Sequence, residues 1–152
     1  MDAYEIFLFG HLLGVIAWVG TNIGLTFLTL RVKARGPEST MEFAHDVNWL
    51  GTRLQMPASL LVLVFGFLLV NKVGYSLGDA WISFALAVYL FSFILGAGFL
   101  GPESGRIAAI AEERGPTDPE AQRRLGRVLL LGRIELVLLI LVVLDMVVKP
   151  GA

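Results

Sequence analysis

Long apolar runs alternate with short polar segments along this chain, and the polar positions inside the runs recur at helical rather than strand spacing. A helix needs about 20 apolar residues to cross the hydrocarbon core of a bilayer. Four stretches answer to that: Ile6–Leu30, Leu54–Val70, Ala80–Leu100 and Val128–Val148, the second being the shortest. Gly36-Pro37 ends the first element, and Ser39-x-x-Glu42 reads as a capping box opening the next. Helix two is expected from Thr40 to Asn71, and helix three from a cap at Asp79 past Gly101-Pro102 as far as Arg114. Asp118-Pro119-Glu120 opens helix four, and Pro150 closes the chain. Pro57 and Pro102 are expected kinks. The short connection Val73–Gly78 implies that helices two and three are antiparallel neighbours. The fold class expected is therefore all-α: one integral membrane domain over residues 1–152, an antiparallel four-helix bundle whose helices overhang the membrane on one side.

Basic residues orient this bundle. Arg31, Lys33, Arg35, Arg53, Arg106, Arg114, Arg123, Arg124 and Arg127 flank the first and third loops, whereas the other side offers Lys72 and Lys149. By the positive-inside rule, loops 31–53 and 101–127 are cytoplasmic and both termini lie outside. The acidic start Met1-Asp2-Ala3-Tyr4-Glu5, with no Ala-x-Ala site before the first polar loop, marks the first apolar run as a retained span.

Composition agrees with lipid as the solvent. Of 152 residues, 56% are hydrophobic and 16% charged, against roughly 45–50% and about 25% in soluble domains. A net charge of −1 gives no nucleic-acid footprint. The absence of cysteine excludes disulfides, zinc–thiolate sites and thiol redox chemistry. Hydrolase, P-loop, metalloprotease and deaminase motifs are missing, and no catalytic set is assigned.

Polar residues at membrane depth carry the functional questions. At about 100° per residue, Trp18 and Asn22 lie about 20° either side of His11, and Thr29 eclipses it. His11, Trp18, Asn22 and Thr29 thus form one stripe, with Gly10 and Gly14 beside the histidine and Gly20-xxx-Gly24 as a second small pair. Such glycines admit either a neighbouring helix or a flat ligand. His11 lies about 9 Å inside its span, a depth it shares with Asp145. Asp145 and Glu5 are thus candidate partners of the imidazole, and Lys149 is an alternative partner of Asp145. Nearer the other end, Arg53 and Glu135 form a candidate interhelical pair, with Gln55 and Arg133 beside them. Arg133 and Glu135 are about 200° apart on their helix, so one faces inward and the other snorkels. These groups serve as a structural lock or as a clamp for an anion such as a porphyrin propionate or a lipid phosphate. His45 shares a helix face with Trp49 and Arg53 at headgroup level, which reads as a solvated histidine beside an interfacial anchor. Helix three, with Ser83, Tyr89 and Ser92 and the indole of Trp81, reads as scaffold.

The stretches "FGHLLGVIAWVG", "RLQMPASLLVLVFG" and "LVVLDMVVKPG" resemble the DUF2269-type family of four-helix bacterial membrane proteins and, more distantly, HemJ-type protoporphyrinogen oxidases and CopD-type membrane domains. That resemblance implies a bacterial inner (plasma) membrane location. The HemJ likeness further implies haem b, with His11 as axial ligand to the iron and Arg53 as the matching basic residue. Trp18 and Asn22 then lie beside the macrocycle, and Arg133 near the propionates. Helix three departs from that family: "DAWISFALAVYL" has neither its His nor its Lys, on which porphyrinogen oxidation would depend.

Three readings follow. The first is a haem-b-binding or redox-associated membrane protein using His11. The second is an accessory or structural subunit within the lipid bilayer, as a homodimer or with a partner membrane subunit. The third is a small-ligand or metal transporter, for which the sequence offers no convergent ligand set at one depth.

Overall fold

A computed structural model of the protein describes residues 2–151. Six α-helices form four continuous rods: α1 (Ala3–Lys33); α2 (Pro37–Leu50) running into α3 (Met56–Val73); α4 (Ala80–Leu95) running into α5 (Gly101–Arg114); and α6 (Pro119–Val148). No strand occurs among the described residues.

The ends of the rods follow local chemistry. Asp2 and Glu5 form a reciprocal capping box on α1 through bonds of 2.8 and 2.9 Å. The expected box at Ser39-x-x-Glu42 does not form, and α2 starts three residues before Thr40, at Pro37. Gly36 turns the chain at φ +114°, and the fixed φ of Pro37 is already helical, so Ser39 falls inside the first turn. Asp79 stands at the N-cap of α4, but its carboxylate turns back to accept from the Ser76 amide at 3.0 Å. Asp118 caps α6 directly, accepting from the amides of Glu120 and Ala121.

Neither Pro57 nor Pro102 breaks its rod. Each is preceded by one π-helical turn, Gly51–Gln55 and Gly96–Leu100. A proline lacks the N–H for the carbonyl four residues back, and its ring crowds that carbonyl. Widening the turn relieves the clash and lets the helix continue.

Three rods, Ala3–Lys33, Pro37–Val73 and Ala80–Arg114, are long and apolar enough to cross a membrane. The fourth carries Arg133, Glu135 and Asp145 in its apolar part, which keeps α6 out of that class on composition. Large apolar side chains cover the outside of the molecule, with Phe27 70% and Val147 76% exposed. In water this surface would be untenable, and in lipid it costs nothing.

α1 is the central packing element and lies tightest against α3. Glycine makes that approach possible: a Cβ on Gly14 would stand 2.9 Å from the carbonyl oxygen of Ala58, and one on Gly10 would enter the Phe65 ring. The chain-adjacent rods behave differently from the sequence expectation. α3 and α4 are joined by a short turn through Gly74 at φ +85° but do not pack along their length. Instead α4 leans on α6 and α3 on α1, and space opens between them.

Two small cores result. Trp18, Ala58 and Leu139 pack midway along the rods. Met41, Ile107, Ala121 and Leu125 join α2, α5 and α6 at the end bearing the basic loops, called here the basic end. The other end carries both chain termini and is called the terminal end.

Candidate functional site

The stripe on α1 faces inward as its spacing dictates. Gly10, Gly14, Trp18 and Thr29 are buried, while His11 and Asn22 are half-buried. Two chambers open along this stripe. One, of about 530 Å³, lies at the terminal end and includes His11 in its lining. The other, of about 330 Å³, lies toward the basic end and includes Asn22, Thr29 and Glu135. Trp18 is the one described residue common to both linings, and it packs edge-on to Tyr89 with ring centroids 5.7 Å apart. The indole is therefore the partition.

In the terminal-end chamber, His11 Nδ1 lies 2.9 Å from the carbonyl oxygen of Val62. A carbonyl only accepts, so Nδ1 carries the proton and Nε2 keeps its lone pair. Gly66, one turn after Val62, makes this contact possible, because a Cβ there would lie 3.3 Å from the imidazole. The proposed His11–Asp145 pair does not form. α3 reaches the histidine first, whereas α6 meets α1 deeper, at the Trp18–Leu139 contact. Nor does Asp145 pair with Lys149: the carboxylate Oδ2 is buried without a hydrogen-bond partner. The Lys149 ammonium donates to the Tyr75 hydroxyl at 3.4 Å and sits 5.3 and 5.5 Å above the Tyr75 and Trp81 rings. Glu5, the other candidate partner, reaches back to the Asp2 amide. Otherwise the chamber is walled by aliphatic and aromatic side chains such as Leu63, Phe67, Ile82 and Val88.

The basic-end chamber gathers more polar groups than the other, set among apolar side chains such as Leu25, Val47, Phe93 and Leu129. Glu135, 6% exposed, lines it without an ion pair or hydrogen bond among the described residues. Ser92, 2% exposed, also lines it, and its Oγ is buried without a partner. The expected Arg53–Glu135 pair is absent, and Arg53 is exposed. The reason is the π-turn at Gly51–Gln55: its extra residue per turn shifts the facing of Arg53 and places Gln55 on the chamber side instead. Arg133 is exposed at the chamber rim while Glu135 turns inward, as their angular separation requires. His45, Trp49 and Arg53 are each exposed, and they line neither of these two chambers.

Both π-turns line this second chamber. In the first, the Met56 amide donates to Gly51, and the next residue is Pro57, so the Thr52 carbonyl receives neither helical donor. In the second, the Gly101 amide donates to Gly96 and Pro102 follows, leaving the Ala97 carbonyl in the same condition. Thr52 and Ala97 are both lining residues. Pro57 and Pro102 were expected as kinks and Ser92 as part of a scaffold; the structure places Ser92 and the turns before both prolines in the lining of this chamber.

Beyond the chambers, a charged brace ties α5 to α6. Glu103, 3% exposed, accepts from Arg124 at 2.7 Å and pairs with Arg106 at 3.4 Å, while Arg124 also holds Glu120 at 3.0 Å. The hydrogen bond from Arg124 holds the Glu103 carboxyl below the usual carboxylate range, against the opposing effect of burial.

A family model described as a predicted integral membrane protein (DUF2269) matches residues 5–150. No curated protein and no solved structure matches the chain. Among the described residues, no group of three or more His, Cys, Asp or Glu side chains is placed to hold a metal ion.

Proposed function

The chain belongs to the DUF2269 family of integral membrane proteins, and from that premise we propose that it holds a flat, mostly apolar ligand in the terminal-end chamber through His11, with haem b the leading candidate. One observation carries this reading. The imidazole is fixed by the Val62 carbonyl on one nitrogen and presents the other, unpartnered, at an apolar chamber of about 530 Å³. A backbone carbonyl on the far nitrogen sets tautomer and ring orientation in the way histidine metal ligands are commonly held. The volume falls within the roughly 300–1,000 Å³ of ligand pockets.

His11 is the one histidine in this lining and would hold the iron of a bound haem. His45, at the other end of the rods, is no second one. Haem would supply one-electron chemistry when bound, and the chain's own part is to bind, orient and exclude water. Arg53 and Arg133 do not line this chamber, so the cation available to an acidic edge group is Lys149, steadied by Tyr75 and Trp81. In this reading all four rods cross the membrane, with loops 31–53 and 101–127 cytoplasmic and the His11 chamber in the outer leaflet.

The test is an absorption spectrum of the full chain, purified in detergent after expression with haem supplied. A Soret band that disappears in His11→Ala supports the proposal, and a colourless wild-type protein overturns it. The accessory-subunit reading draws on the folded overhang of α2, α5 and α6 braced by Glu103. It predicts that His11→Ala alters assembly or stability alone.

A further inference from the structure

Glu135 stands out in the basic-end chamber as a carboxyl at membrane depth with no partner. Taking a charge out of water without a countercharge is costly, and such groups mark functional sites by default. Its nearest basic neighbour in sequence, Arg133, stands exposed at the rim of the same chamber and makes no ion pair with it among the described residues.

What surrounds Glu135 defines the missing partner. Thr26 and Thr29 donate their hydroxyl protons to the carbonyls of Asn22 and Leu25 on their own helix. Ser59 donates to Met56 and Ser104 to Leu100 in the same way, and the Asn22 amide donates to Trp18. With their protons spent on backbone, the threonine and serine side chains turn only oxygen lone pairs toward the chamber, and Asn22, Asn48 and Gln55 bring amide oxygens beside their remaining N–H groups. The Thr52 and Ala97 carbonyls, freed by the two π-turns, add two more acceptors. Ser92 Oγ, buried and unpartnered, completes the set. The Trp18 indole forms the wall toward the other chamber, and an aromatic face attracts cations.

We propose that the basic-end chamber is a binding site for a small monovalent cation, an alkali-metal ion or a protonated amine, held by Glu135, Ser92 and the freed carbonyls of Thr52 and Ala97. One carboxylate among neutral oxygens matches a single positive charge. A divalent ion would call for more carboxylates than the one acidic residue lining this space provides. Unwound helical turns whose carbonyls coordinate sodium are a recurring device in membrane transporters. The site is separate from the His11 chamber, so it stands or falls independently of any ligand there.

The experiment uses the full chain in lipid nanodiscs, with ionic strength held constant by choline chloride. Choline serves as the balancing ion because its quaternary nitrogen has no N–H to donate and is too bulky for close oxygen coordination. Sodium and methylammonium are titrated separately, with tryptophan fluorescence and the thermal midpoint as readouts. A saturable response to either ion in the wild type, weakened at least tenfold by Glu135→Gln and also weakened by Ser92→Ala, supports the site. Which ion responds tells an alkali-metal site from an amine site. No saturable response to sodium or methylammonium overturns the proposal. So does unchanged affinity in Ser92→Ala, which decides the matter even if Glu135→Gln does not fold.

Discussion

The two chambers lie along one helix face and share a wall, yet they are made by opposite devices. At the terminal end, space exists because α3 and α4 part, and the walls are apolar around one oriented imidazole. At the basic end, two π-turns ahead of prolines line the space, and oxygen acceptors gather around one carboxyl among apolar side chains. The first arrangement is built from intact helices and selects by shape. The second is built from interrupted helices and selects by charge. Trp18 keeps the two apart, so a change in one chamber should leave the other readable.

The change that breaks both at once lies in the α1–α3 contact. Gly14→Ala puts a methyl 2.9 Å from the Ala58 carbonyl oxygen, and backbone cannot move aside as a side chain can. Overpacking of this kind costs about 1–3 kcal/mol, which exceeds the roughly 1 kcal/mol that alanine gains over glycine in a helix. The thermal midpoint should fall and both ligand responses should weaken together. Gly20→Ala is the matched control, since nothing lies within 4 Å of that site. It should be neutral or mildly stabilising, and a similar loss at Gly20 would show that the α1–α3 approach is not what matters.

The next change separates the chambers by sign. Glu135→Leu removes a buried carboxyl that has no partner among the described residues, so the thermal midpoint should stay level or rise. A structural lock would behave in the opposite way, losing several kcal/mol on the same substitution. Stability retained while the cation response vanishes is the expected pairing. A smaller effect is expected from Gly66→Ala at the other chamber. The new methyl would press on the imidazole at 3.3 Å and strain the bond to Val62, costing about 1 kcal/mol. Haem retention should weaken with it, and the basic-end chamber should respond as in the wild type.

How far these features were legible in the sequence depends on what each rests on. The inward stripe His11, Trp18, Asn22 and Thr29 follows from helical period alone, and it faces the interior as expected. The partner of His11 did not follow, because two residues at equal depth need not sit on adjacent helices. That adjacency was set by glycines: Gly10 and Gly14 draw α3 against α1, and Gly66 clears the path to a backbone carbonyl that no side-chain pattern reveals. Arg53 was misplaced for a related reason. Pro57 was visible as an irregularity, but its local consequence, a π-turn upstream, shifts the facings between Gly51 and Gln55. Ser92 was passed over because a lone serine in an apolar run carries no signal until its neighbours are known.

The brace at the basic end tests whether the chambers need the overhang beyond them. Glu103 is buried and held by Arg124 and Arg106, and the Arg124 hydrogen bond lowers its pKa from the ordinary 4.5. A carboxyl whose folded pKa is depressed contributes stability that is full above its unfolded value and is lost as pH falls through the folded one. The contribution of Glu103 should therefore be full at neutral pH and be lost only below about pH 4.5, in step with protonation of this group. Glu103→Gln should lower the thermal midpoint at pH 7 by removing the charge that Arg124 faces. The difference between variant and wild type should then narrow as pH drops, because acid makes the wild type resemble the variant. Arg124 keeps Glu120 as a second partner, so the effect should be the smallest of the series. A gap that stays constant down to acid pH would mean that packing around Ile107 and Ala121, rather than the ion pair, holds α5 to α6.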